Sequence, residues 1–241
     1  MPVFQLTDEI AFPPPNMATE EGLLAVGGDL SRERLLLAYR EGIFPWFSEG
    51  EPILWWSPNP RMLLFPEEFR PSRRMRRLAR SGRYEVRADT AFEKVIEACA
   101  KVPRPGQDGT WITASMEQAY CDLHRSGYAH SVECWEDDQL VGGLYGVSLG
   151  RCFFGESMFS NASNTSKLAL WTLAKQLTIW DFLLIDCQIH TDHVAGFGAR
   201  PIDRDAFMRL LDKGVQSDSR KGQWQFEADI LVRDEDRMQE T

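Results

Sequence analysis

The sequence predicts an α+β chain: a small aromatic-rich N-terminal domain over residues 1–60 and a larger domain over 61–241. Three observations carry this. Residues 1–60 concentrate Trp, Phe and Pro around one helical stretch. Three β-patterned segments follow one another between residues 130 and 157, with helical periodicity before and after them. Strands grouped in this way, flanked by helices, make a mostly antiparallel sheet with helices packed beside it.

Each element has its own warrant. In GLLAVGGDLSRERLLLAYREG, Leu35, Leu36, Ala38 and Tyr39 recur at helical spacing, Asp29 or Ser31 can cap the start, and Gly42 ends the helix. The prolines of ILWWSPNPR argue against regular structure there. Thr90 to Cys99 is helical, because Phe92, Val95, Ile96 and Cys99 share a face. Val102 to Gly109 reads as a loop, and Ser115 to Ser126 as a helix capped by Ser115. HSVECWE, QLVGGLYGVSL and RCFFGES are strands, with turns at Asp137–Asp138 and Leu149–Gly150. Lys167 to Leu177 is a helix, FLLIDCQIH a buried strand, and Asp203 caps a last helix.

Composition excludes some function classes. Hydrophobic residues make up 43% and charged residues 26%, as in an ordinary folded chain. No apolar run approaches the roughly 20 residues of a membrane span, so no membrane partner is expected. The start, MPVFQLTDEIAFPPP, has acidic residues where a signal peptide needs basic ones, which points to a cytoplasmic protein. The five cysteines form no CxxC pair, and His190 and His193 lack companions for a metal set. There is no GxxxxGK[ST] loop and no GxSxG elbow, and the glycines of GGLYG lie inside a strand pattern. No metal or cofactor is expected.

Three groups of residues can carry chemistry. The net charge is −9, yet residues 70–83 hold seven arginines and no acid. Arg73, Arg76, Arg77 and Arg80 fall on one helical stripe. Such a stripe repels itself by a few tenths of a kcal/mol per pair, a cost that bound phosphate relieves. Nucleic acid is the favoured ligand, and a solvated face paired with carboxylates the alternative. The aromatic group Tyr39, Phe44, Trp46, Phe47, Trp55 and Trp56 is mostly core. Trp46, however, adjoins the loop SEGEP, and Trp111 sits in GTWIT, where either can stack on a base. Finally, Asp186 and Gln188 lie on one face of an apolar strand, and Glu156 and Ser157 interrupt another. These polar breaks fit either a satisfied core network or two walls of one cleft.

The segments GLLAVGGDLS, YREGIFPWF, ILWWSPNPR, GTWIT, LVGGLYGV, FGESMFS and LIDCQ resemble, in that order, those of bacterial leucyl/phenylalanyl-tRNA–protein transferases. The resemblance runs from about residue 10 to beyond residue 210. It implies that the larger domain is acetyltransferase-like (GNAT-type). It also implies that the enzyme moves Leu or Phe, less readily Met, from aminoacyl-tRNA to proteins that begin with Arg or Lys, marking them for degradation, with neither metal nor ATP at the transfer step. Carried over by motif, Tyr39, Trp46, Trp111 and Tyr120 would grip the tRNA 3′ adenosine. Phe153, Met158 and Leu170 would line the aminoacyl pocket, with Leu144 and Leu173 where the family has Met and Phe. Asp186, Gln188 and Glu156 would be catalytic.

The implied reaction is attack of the acceptor's α-amine on the ester carbonyl. Gln188 would orient the amine through its carbonyl oxygen, polarised by Asp186, and Glu156 would meet the acceptor's cationic end. A route through the ribose hydroxyl is equally compatible. Two rivals remain. An acyl-CoA acetyltransferase would need a Gly-rich loop where this chain has Ser and Asn. A non-catalytic RNA-binding module would leave Asp186, Gln188 and Glu156 unexplained.

Overall fold

The period-two alternation between residues 129 and 160 is realised as three long antiparallel strands, the centre of the fold. The computed structural model describes residues 3–102, 110–227 and 230–231. In chain order the N-terminal part holds β1 (Phe4–Leu6), β2 (Leu23–Gly27), α1 (Arg32–Arg40), β3 (Phe44–Pro45) and β4 (Leu54–Trp56). Next come β5 (Arg61–Leu64), α2 (Arg73–Arg80), β6 (Glu85–Ala88), α3 (Phe92–Ala100) and α4 (Ala114–Arg125). The long strands β7 (Ala129–Glu136), β8 (Gln139–Leu149) and β9 (Cys152–Ser160) precede α5 (Thr165–Ile179) and β10 (Leu184–Asp186). The short α6 (Asp192–Ala195), β11 (Arg200–Ile202) and α7 (Arg204–Val215) complete the described elements.

Two sheets result. β1–β2–β4–β3 form a four-stranded sheet, and β11–β5–β10–β9–β8–β7–β6 a seven-stranded one. The larger sheet is antiparallel except at β9–β10, whose parallel pairing requires α5 as the crossover. The chain is thus a mixed α+β protein with an N-terminal domain and a larger domain. Among the described residues, no helix is long and apolar enough to cross a membrane.

The large sheet has a core on each side. Tyr145, Val147, Leu149 and Phe154 face α1, α3, α4, α7 and the N-terminal sheet. Val132, Cys134, Leu144, Phe153 and Ile185 face α5. That helix is buried almost all round, as a helix apolar on every side must be. Each fully buried leucine on it, such as Leu177, stabilises the fold by about 1.5–3 kcal/mol.

Several boundaries differ from the sequence expectation for local reasons. Pro58 and Pro60 lie between strands, so ILWWSPNPR is not irregular: Leu54–Trp56 is a central strand of the small sheet. Ser31, not Asp29, caps α1, and Thr113, not Ser115, caps α4 by accepting from the Met116 N–H. The hairpin at Asp137–Asp138 forms as expected, both residues having positive φ. The strand expected over FLLIDCQIH stops at Asp186, because Gln188 is left-handed at φ 62°. The loop expected at Val102–Gly109 falls, beyond Val102, outside the described residues.

Candidate active site

The site is made by a defect in the sheet. β8 and β9 pair Tyr145 with Ser157 and Gly146 with Gly155, which leaves Glu156 as the extra residue of a β-bulge. A bulge re-aims the side chain it carries. Here it changes the alternation of β9: Phe153 and Met158, of opposite parity, both belong to the α5 side. Glycine is needed at position 146, where a Cβ would lie 2.2 Å from the Phe154 carbonyl oxygen.

The parallel ladder between β9 and β10 ends at Asp186↔Phe154, while β9 continues to Ser160. Between the diverging chains opens a cleft of about 900 Å³. Glu156, Ser157 and Met158 line one wall, and Cys187, Gln188 and Ile189 another.

Glu156 is the hub. Its Oε2 accepts from the Tyr120 hydroxyl at 2.8 Å, and its Oε1 from the Gln188 amide at 2.8 Å. Tyr39 is hydrogen-bonded to Tyr120 behind it. Burial pushes the Glu156 carboxyl up to about 7, against the Tyr39, Tyr120 and Gln188 hydrogen bonds that favour its charged form. Burial also pushes both tyrosine hydroxyls well above their ordinary range, so they act as neutral donors.

Asp186 does something other than polarise the Gln188 side chain. Its Oδ1 accepts from the Gln188 backbone N–H at 2.8 Å. Both its oxygens accept from the Arg61 fork, at 2.9 and 3.1 Å from Nε and 2.7 Å from Nη2. Both side chains are fully buried. The group that polarises the Gln188 amide is therefore Glu156. Arg61 was missed in the sequence, where its only signal is a lone charge opening the apolar run RMLLF.

The structure sorts the remaining residues. Leu144, Phe153, Met158 and Leu170 line the cleft, as do Trp46 and Trp111. Trp46 is held by the Leu54 carbonyl and by the Trp56 indole, which donates to its carbonyl oxygen at 2.7 Å. Three expectations change. Leu173 is fully buried behind the lining, in the core between α5 and the sheet. Tyr39 and Tyr120 are also fully buried, so they brace Glu156 and have no face open to a base.

The arginine stripe forms α2, capped by Ser72 and anchored by buried Met75. Arg73, Arg77 and Arg80 are exposed and Arg76 half-buried. The helix lies beside the cleft: Arg74 Nη2 reaches Ser163 Oγ of the lining at 3.4 Å. Lys167 lines the cleft, and Lys175, farther along α5, feels the charge of Arg76. Arg74 and Lys167, which the sequence does not single out, thus bring positive charge from α2 and α5 to the cleft. If this stripe holds tRNA phosphates, changing Arg76, Arg77 and Arg80 together to Ala weakens tRNA binding and makes its salt dependence shallower, while turnover of a minimal aminoacyl-adenosine donor is spared. Equal loss with both donors rejects this face as the one that holds the tRNA body.

The model of the leucyl/phenylalanyl-tRNA protein transferase family matches residues 63–212, and that of the family's N-terminal domain matches residues 28–59. A leucyl/phenylalanyl-tRNA–protein transferase of Syntrophus aciditrophicus (strain SB) is 57% identical over 224 residues, covering 93% of this chain and 94% of that protein. That of Myxococcus xanthus (strain DK1622) is 53% identical, covering 93% and 97%. That of Anaeromyxobacter dehalogenans (strain 2CP-C) is 54% identical, covering 95% and 98%. Among solved structures, that of L-PGS from Bacillus licheniformis aligns with a TM-score of 0.38 at 9% identity, over 72% of this chain and 57% of that one. With relatives this similar along nearly all its length, and with both family models matched in order, the chain belongs to the leucyl/phenylalanyl-tRNA protein transferase family.

Proposed function

We propose that the cleft beside Glu156 is where Leu or Phe, and less readily Met, passes from tRNA to the N-terminal Arg or Lys of an acceptor protein, marking it for degradation. One observation carries this reading: the Gln188 amide nitrogen is committed to Glu156. That leaves the amide's carbonyl oxygen as the end able to accept from an incoming amine. The acceptor nitrogen attacks the ester carbonyl carbon, a C–N bond forms, and the C–O bond to the ribose breaks. Glu156 takes the proton from the amine and returns it to the departing ribose oxygen. Its carboxyl, raised to about 7, is suited to give and take a proton near neutrality. An ester is already activated, so the step needs no nucleotide hydrolysis.

This reading moves Glu156 from acceptor choice to proton transfer. Its charge still favours a cationic acceptor, since Glu156 is the acidic residue of the cleft lining among the described residues. Leu144, Phe153, Met158 and Leu170 supply the apolar wall for the aminoacyl side chain. The parallel opening between β9 and β10 supports a GNAT-like arrangement of the larger domain. The break between the two sheets, after Trp56 and before Arg61, supports a division at residues 60 and 61. The direct test is transfer of labelled Leu and Phe from charged tRNA to peptides beginning with Arg or with Asp. Transfer to the Arg peptide alone is expected, and no transfer to either sinks the reading.

Trp46, half-buried, and Trp111, buried with its edge in the lining, are the indoles beside which the 3′ adenosine would lie. Trp46→Ala and Trp111→Ala should each weaken donor binding by about 1–3 kcal/mol, one base stack. Titration of the donor against tryptophan fluorescence reads this directly. Normal affinity with an earlier melt would make both residues packing groups.

A further inference from the structure

We propose that Arg61 is a positioning residue of the transfer reaction: through Asp186 it holds Gln188 in the left-handed turn that brings its amide to Glu156. This inference rests on the reading of Glu156 and Gln188 as the pair that receives the amine.

Gln188 has φ 62°, a conformation that a residue with a Cβ adopts only under constraint. The constraint on the page is the Gln188 N–H bond to Asp186 Oδ1 at 2.8 Å, supported by the Gln188 carbonyl accepting from Met62 N at 3.2 Å. Asp186 can hold that N–H only while its own position is fixed. Arg61 fixes it with three hydrogen bonds to both carboxylate oxygens. The guanidinium is in turn clamped between the rings of Phe44, at 4.7 Å, and Phe207, at 4.9 Å. Phe44 follows α1 and lines the cleft, whereas Phe207 belongs to α7. Arg61 thus ties the small sheet, the last described helix and the catalytic corner together. A lysine could not reproduce this, because only the planar fork bonds both oxygens and stacks between two rings.

Arg61 also neutralises the charge nearest Glu156 along the chain of groups. Facing Glu156 are Tyr39 from α1, Tyr120 from α4, Asp186 at the end of β10 and Gln188 just beyond it, with Tyr145 of β8 beside the two tyrosines and Arg61 of β5 behind Asp186. Asp186 itself pushes Glu156 up. Removing Arg61 leaves that push uncompensated, so the charge of Arg61 has a readout at Glu156 that a purely structural role lacks.

The experiment follows the carboxyl of Glu156 by NMR in protein labelled with 13C-carboxyl glutamate, its resonance assigned by Glu156→Gln, beside kcat with a minimal donor. Arg61→Lys keeps the charge and loses the fork; kcat should fall on the order of tenfold or more with the midpoint of Glu156 unmoved. Arg61→Gln should raise that midpoint by about half a unit or more, and Asp186→Asn should lower it. The double variant Arg61→Gln, Asp186→Asn should return it towards the wild-type value. If Arg61→Gln does not fold, the comparison of Asp186→Asn with the double variant gives the same charge effect. Midpoints that agree in all variants, or a full kcat in Arg61→Lys, overturn the role of Arg61. A wild-type Glu156 that titrates like an ordinary carboxyl would instead sink the proton-transfer reading on which it rests.

Discussion

Glu156→Gln is expected to lower kcat by about two to four powers of ten, the usual contribution of a positioned proton acceptor. Donor affinity should change little, because the residues proposed to hold the aminoacyl side chain and the adenosine are other members of the lining. The same substitution should make the fold more stable in alkali. The folded carboxyl titrates at about 7, raised from an ordinary value of 4.5 chiefly by burial. Between those values the native state keeps a proton that the unfolded chain has released. Stability therefore falls as pH rises through that window, and the deficit is complete above the folded value. Glutamine carries no charge to desolvate, so the variant should gain about 1–2 kcal/mol over the wild type at pH of about 8, and nothing at pH of about 4. Thermal melts of both proteins at the two pH values check the sign. An equal difference at both would mean that the carboxyl titrates normally, and a kcat within tenfold of wild type would remove Glu156 from proton transfer.

Much of this was readable from residue order. Periodicity placed the three long strands and α3, α5 and α7, because those elements bury a continuous face and their patterns are strong. The polar interruptions at Glu156 and Gln188 did meet in one cleft. What the sequence hid were features that only pairing creates. The bulge at Glu156 depends on how β8 and β9 register, and its local trace is no more than Gly146 and Gly155. The left-handed turn at Gln188 breaks an alternation that an apolar run seemed to continue. Tyr39 and Tyr120 are 81 residues apart and meet only through α1 and α4, so nothing local tells a buried brace from an exposed stacking face. Arg61 and Asp186, 125 residues apart, are hidden in the same way.

That last pair carries the second large effect. Asp186→Ala is expected to act first on folding and only then on catalysis. It strands the Arg61 guanidinium, which is fully buried and held otherwise by the rings of Phe44 and Phe207. Breaking a buried ion pair from one side costs about 3–5 kcal/mol. For a chain of this size that lowers the melting temperature by roughly 10 °C, taking 2–4 °C per kcal/mol. The Gln188 N–H also loses its acceptor, so the folded fraction should have a low kcat as well. The two effects separate in the double variant Arg61→Met, Asp186→Leu. With both charges gone and comparable volume in place, most of the stability should return, since a buried pair can be replaced by packed apolar groups at little net cost. Activity should not return, because the Gln188 N–H then has no carboxylate to hold it and only the Met62 contact supports the turn. Should Asp186→Ala melt within about 2 °C of the wild type and lose only kcat, the buried pair contributes little to the fold. Asp186 would then act on catalysis through Gln188 alone, as the resemblance implies. Should the double variant recover both stability and rate, Gln188 holds its conformation without either partner, and the positioning of the amide must be sought in the Met62 contact instead.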